Sequence, residues 1–216
     1  MALISWKTAR ITASGLQRLE PGQWLDDEVM GFWIEYLATA PPPQGLGRPE
    51  VHIMDPAAAN WILSEEDAED LADGLAPLEL GSKELVLVPV ADRQDRGKDG
   101  VYGSHWALLA LQRNGEEIRS CYYDSMGGGG NLRQAERIAA KLRPAMASHP
   151  GEAPAPAPAQ APAGRQENAC DCGVFTLLFA EALARHGDPA KVTQREASEA
   201  RMRMKKQILA LKAGSP

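Results

Sequence analysis

Apolar residues recur at helical spacing through Val29, Met30, Trp33, Ile34, Tyr36 and Leu37, behind the polar start Trp24-Leu25-Asp26-Asp27-Glu28. Asp26 or Asp27 is a good N-cap there, and the acids suit the positive end of a helix dipole. Pro41-Pro42-Pro43 stops that helix. A second helical region is predicted from about Asn60 to Leu71, with Glu65, Glu66, Asp67, Glu69 and Asp70 as a solvated face. Then the period changes. Leu85-Val86-Leu87-Val88-Pro89-Val90 is a continuous, valine-rich apolar run, as a strand buried on both faces requires. Trp106 to Leu111 and Ile118 to Tyr123 are two further strands, with Asn114-Gly115 as the hairpin signal between them. Helical spacing returns over Leu132–Met146, over the apolar stretch Cys172–Leu183, and over about Thr193 to Lys212. The last of these carries a basic end at Arg201, Arg203, Lys205 and Lys206.

Between these elements, residues 1–23 read as an irregular or weakly extended lead-in. The segment 92–104 is a glycine-containing polar loop, and Gly127 to Gly130 is a break. Residues 150–164 are low-complexity Ala/Pro sequence, expected to be a solvated surface loop in extended conformation. The order of elements predicts an α+β domain, a small sheet with helices mainly outside it, spanning residues 1–216 as one unit.

Composition narrows the class. A chain of 216 residues, 44% hydrophobic, can bury one sizeable core. A formal charge of −6 argues against nucleic acid as the partner and suits a partner carrying basic residues. No apolar run reaches 18 residues and the start lacks a signal-peptide pattern, so no membrane association is expected. Three cysteines are too few for a disulfide scaffold, which predicts a reducing compartment, cytosol or nucleus.

The candidate chemistry lies in three short stretches. Gln166-Glu167-Asn168-Ala169-Cys170-Asp171-Cys172-Gly173 puts a cysteine where irregular sequence gives way to a helix. Ser104-His105-Trp106 opens one strand of the predicted hairpin, and Asp124 follows the other, so the two side chains fall near one edge. A histidinium and a helix N-terminus both favour a thiolate, the form that attacks acyl carbon. In that arrangement Cys172 is the nucleophile, His105 the base and Asp124 the group that fixes the imidazole tautomer. Gln166 can donate its amide to an oxyanion together with the Cys172 N–H, and Gly173 leaves room for backbone to approach. Each residue alone has a plainer explanation in packing or polar satisfaction, and Cys121 reads as packing. Cys170 and Cys172 with His105 and His186 make a poor zinc site, because C-x-C lacks the usual spacing and no second pair exists, so no metal and no cofactor are expected.

In order and spacing, Trp24-Leu25-Asp26-Asp27-Glu28, Gly103-Ser104-His105-Trp106, Tyr123-Asp124-Ser125 and Gln166-x-Asn168-x-x-Asp171-Cys172-Gly173 resemble the ubiquitin-like-protein-specific cysteine proteases, the sentrin/SUMO proteases. The resemblance runs from about Trp24 to Leu183. It implies a papain-like protease fold with a small central mixed sheet, and the triad His105, Asp124 and Cys172 with Gln166 in the oxyanion hole. It further implies that Trp24 and Trp106 enclose a Gly-Gly tail, and that Asp27 lies near that tail. The loop 92–104 would close over the substrate. The chain looks closest to the small branch acting on the Nedd/Rub modifier, with SUMO as the alternative partner, and a monomer is expected. An acetyltransferase using the same three groups, or a non-catalytic binding module, are the competing classes. Two departures stand out, Asp26 where asparagine is usual and Ala169 where a large residue is common; the 150–164 stretch replaces the usual connection ahead of Gln166.

Overall fold

The computed structural model of the protein describes residues 2–92, 104–147 and 156–213. Most of the 92–104 loop, and the first part of the Ala/Pro-rich stretch, lie outside these residues.

The lead-in is more ordered than its sequence suggests. Strands β1 (Ala2–Trp6) and β2 (Ala9–Thr12) pair antiparallel, and a short helix α1 (Ala13–Gln17) follows. The hairpin is anchored by Thr12, whose Oγ1 donates to Glu28 Oε1 at 2.8 Å. Glu28 lies in the first turn of α2 (Asp27–Thr39), which starts where predicted: the Asp26 carboxylate accepts from the Val29 N–H at 3.0 Å. The aspartate departure at position 26 therefore serves as a helix cap.

After β3 (Val51–Ile53), the single helix expected over Asn60–Leu71 is two helices, α3 (Pro56–Ser64) and α4 (Ala68–Leu75). The division is made by caps. Asp55 accepts from Ala57 N ahead of Pro56, and Asp67 accepts from Glu69 N at 2.8 Å and Asp70 N at 3.1 Å, restarting the helix inside the acidic run. Glu66 of that run is not merely solvated, because it accepts from Arg137 at 3.2 Å.

The central sheet has five strands in the order β3-β4-β5-β6-β7. These are completed by β4 (Leu85–Ala91), β5 (Trp106–Asn114), β6 (Glu117–Tyr123) and β7 (Ala159–Gln160). Its three middle strands are antiparallel and both outer pairings are parallel, so the sheet is mixed. The connection between β5 and β6 is Gly115-Glu116, one residue later than the Asn-Gly signal, with Gly115 at φ 63°. The Ala/Pro-rich stretch is not wholly loop. Ala159 and Gln160 add a parallel edge to β6, where the lack of proline at those two positions leaves backbone donors for the ladder.

Alternation along β4 and β5 divides the core in two. Leu85, Leu87, Trp106, Leu108 and Ala110 face one cluster, shared with α2, α6 (Cys172–Ala184) and α7 (Gln194–Ala213). Val86, Val88, Val90, Ala107, Leu109 and Leu111 face the other, under α3, α4 and α5 (Leu132–Met146). Helices thus cover both faces of β4, as its unbroken apolar sequence requires.

Candidate active site

Three strand ends meet at one edge of this sheet. The register pairs Ala91 with Trp106 and Leu108 with Tyr123, so β4 leaves, β5 enters and β6 leaves side by side. His105 precedes β5 and Asp124 follows β6. The proximity expected from the hairpin is realised: His105 Nε2 and Asp124 Oδ1 are 2.8 Å apart. On the cluster side of the sheet, α6 packs on β5 and presents Cys172 as its first residue.

The backbone and side chain of His105 are held from several directions. Its N–H donates to Asp92 Oδ1 at 3.3 Å, and its carbonyl accepts from Asn131 Nδ2 at 3.0 Å. Asn131, fully buried, also donates to the Val90 carbonyl at 2.7 Å and so ties the ends of β4 and β5 together. Asp92 accepts from both the N–H and the hydroxyl of Ser104 at 2.6 Å, closing the base of the loop that precedes His105.

Asp124 is almost fully saturated. Oδ1 also accepts from the Met126 N–H at 2.9 Å, and Oδ2 accepts from the Gly129 N–H at 3.1 Å and from the Tyr122 hydroxyl at 3.3 Å. Burial alone would raise the Asp124 carboxyl, but its bonds to His105 and to the Met126 and Gly127 backbone outweigh this and hold it at about 2. For His105, burial opposes protonation, yet the hydrogen bonds with Asp124 and Cys172 prevail and lift the ring to about 9. Its Nδ1 has no hydrogen-bond partner of ordinary geometry, so this is the nitrogen left to serve the thiol.

The start of α6 is unusual for a helix. Asp171 occupies the N-cap position but makes no capping bond. Its carboxylate turns instead to Arg201, accepting from Nε at 2.6 Å, and to Asn168 Nδ2 at 2.8 Å and Gln194 Nε2 at 2.5 Å. Burial works against this charge, but these donors hold it below the usual carboxylate range. The first-turn N–H groups of α6, those of Cys172 and Gly173 among them, therefore have no side-chain cap. Gln166 lies near by in sequence and is oriented at both ends of its amide. Oε1 accepts from Ser125 Oγ at 2.6 Å, and one Nε2 hydrogen goes to the Asn168 carbonyl, leaving the second free for another acceptor.

The residues expected around a substrate tail divide. Trp24 is 39% exposed. Trp106 is buried, with its indole N–H donating to the Leu25 carbonyl at 3.3 Å. Gly173 is buried too: an added Cβ would lie 3.0 Å from Leu25 Cβ and 3.4 Å from Trp106 Cδ1. The space expected for an approaching backbone is thus filled by these two side chains, and the glycine sets how closely α6 sits against them. Asp27 is half-buried in the first turn of α2, and the glycines of the 92–104 loop lie outside the described residues.

Sequence reading missed Asn131, Asp92, Ser125 and above all Arg201. Arg201 belongs to the basic end of α7 only by composition. It stands four residues after Ala197, three before Met204 and seven before Ile208, all buried, so a charge sits in the middle of the apolar stripe. That placement was the available signal.

A half-buried histidine bonded to an ionised carboxylate, beside a cysteine at an uncapped helix start, defines a thiol hydrolase. The chain belongs to the Ulp1 protease family, whose C-terminal catalytic domain matches residues 23–213. It is therefore a Ulp1-type cysteine peptidase. Relatives include mouse sentrin-specific protease 8, 27% identical over 181 residues that cover 84% of this chain and 77% of that one. Arabidopsis NEDD8-specific protease 1 is 28% identical over 182 residues, covering 84% and 74%. The fold is that of the Ulp1 protease domain solved in complex with Smt3, the yeast ortholog of SUMO, with a TM-score of 0.71 over 98% of this chain and 89% of that one at 16% identity.

Proposed function

We propose that the protein cleaves after the C-terminal Gly-Gly of a ubiquitin-like modifier, preferably of the Nedd/Rub type, with Cys172 as nucleophile. The observation that carries this is the 2.8 Å bond from His105 Nε2 to Asp124, which leaves Nδ1 for the thiol at the head of α6. The preference for Nedd/Rub rests on the relative named as a NEDD8-specific protease.

The residues perform the reaction in two halves. The Cys172 sulfur attacks the glycyl carbonyl, and the negative oxygen that forms meets the uncapped N–H of Cys172 and the free Nε2–H of Gln166. The protonated His105 gives its proton to the leaving amine, the C–N bond breaks and a thioester remains. Water then loses a proton to His105 and attacks the thioester; the C–S bond breaks, the new acid loses its proton to solvent as carboxylate, and the thiolate is restored beside protonated His105. Trp24 lies at the mouth of the tail channel and Trp106 in its wall, where Leu25 and Gly173 fix the ring; flat rings around two glycines exclude any bulkier residue. Asp27 meets a basic residue of the tail.

The test is reaction with propargyl-ended Nedd/Rub, SUMO and ubiquitin probes. A Nedd/Rub adduct that is lost in Cys172→Ala supports the reading. An adduct formed with SUMO alone overturns the substrate choice, and no adduct with any probe overturns the function.

A further inference from the structure

Arg201 contacts far more than its ion-pair partner. Besides Asp171, it donates from Nη1 to the Arg18 carbonyl at 2.8 Å and the Glu20 carbonyl at 3.4 Å. From Nη2 it donates to the Gln23 carbonyl at 2.6 Å and the Cys170 carbonyl at 3.0 Å. These five acceptors lie on two separate pieces of chain. Residues 18–23 run directly into Trp24; residues 170–171 run directly into Cys172. Arg201 comes from neither, but from α7, and it is 3% exposed.

An arginine with five N–H donors in a fixed plane can hold such an array, and little else can. Four of its acceptors are main-chain carbonyls, which have no freedom to turn away without moving the chain. We propose that Arg201 is a positioning residue, which sets the segment bearing Trp24 and the loop bearing Cys172 in one register. The groove for the substrate tail and the sulfur that attacks it are then tied to each other by one guanidinium, in addition to the packing of Gly173 on Leu25. Asp171 completes the device, and its engagement with Arg201 is also what keeps it from capping α6. The turnover arm of the test rests on the peptidase reading above; the alkylation arm does not.

Arg201→Met leaves the Asp171 charge buried without a cation and tests folding as much as position. Arg201→Lys retains the charge, but one ammonium cannot reach five oxygens on two segments. The experiment compares wild type and Arg201→Lys in the rate constant for iodoacetamide alkylation of Cys172 at pH 7, followed by peptide mapping. It adds kcat on a Gly-Gly-ended fluorogenic modifier, normalised by active-site titration, and a thermal melt. The expected result is a cooperative melt with alkylation slowed on the order of tenfold and kcat lowered roughly tenfold to a hundredfold, as displacements of about an ångström produce. Rate constants within twofold of wild type in the folded variant overturn the proposal. Where Arg201→Lys does not melt cooperatively, Asp171→Asn, which leaves the arginine its four carbonyls, is judged by the same criterion. A wild type that turns over no modifier defeats the functional reading alone, because alkylation still decides the role of Arg201.

Discussion

Asp124→Asn isolates the electrostatic half of the His105–Asp124 pair, since asparagine keeps the size of the side chain and removes its charge. The rise of His105 from 6.5 to about 9 corresponds to about 3 kcal/mol favouring the protonated ring. The fall of Asp124 from 3.8 to about 2 corresponds to about 2 kcal/mol. These describe largely one interaction and are not added; the larger figure also contains the contribution of Cys172. With protonated His105 as the acid proposed to release the amine, the alkaline limb of kcat/KM should fall near pH 9 in the wild type. In Asp124→Asn that limb should move toward the ordinary imidazole range, between about 6.5 and 7.5. At pH 8 this change in protonation alone lowers kcat/KM by about tenfold, before any loss of ring orientation. The assay is a pH–rate profile from pH 5 to 10 on a Gly-Gly-ended fluorogenic modifier. An alkaline limb still near 9 in the variant would falsify the assignment of Asp124 as the main support of the imidazolium.

The same pair makes stability depend on pH: the His105 contribution is complete below about 6.5 and lost as pH rises through about 9, while that of Asp124 is present above 3.8 and lost toward about 2. Urea titrations at pH 6 and pH 10 should differ by about 2–3 kcal/mol, and Asp124→Asn should remove most of the difference; equal wild-type values at the two pH values contradict this. Gln166→Ala should lower kcat by about 100- to 1000-fold with the melting temperature little changed, and a loss confined to KM would remove Gln166 from the oxyanion site. Gly173→Ala forces α6 off Leu25 and Trp106, at a cost of about 1–3 kcal/mol in chemical denaturation; a neutral result would show that Leu25 yields freely. Asn131→Ala leaves the Val90 and His105 carbonyls without their donor and should cost about 1–3 kcal/mol, together with activity; unchanged turnover would mean that His105 is held without it.

The legible part of this molecule was its local part. The Asp26 cap, the hairpin that joins His105 to Asp124, and the apolar helix after Cys172 all follow from residues close in sequence. The helix expected over Asn60–Leu71 is divided because Asp67 caps a new one, and an acidic run does not reveal which of its members will cap. Strand β7 was hidden because two residues in proline-rich sequence carry no periodicity. Arg201 was hidden for a different reason: its partners lie 30 and more positions away, and only the packing of α7 brings them together.

The role proposed for Arg201 also bears on the order in which the site can assemble. Arg201 lies in the element that follows all the others in sequence, whereas the segments it clamps begin at residue 18. A polypeptide still emerging from the ribosome, or one truncated before Gln194, has His105, Asp124 and Cys172 but lacks the guanidinium that pairs with Asp171 and bonds the carbonyls of residues 18–23. Asp171 is then available to cap the helix that carries the thiol. With Arg201 in the role proposed for it, the loop bearing Cys172 takes its final place only once α7 has packed against residues 18–23.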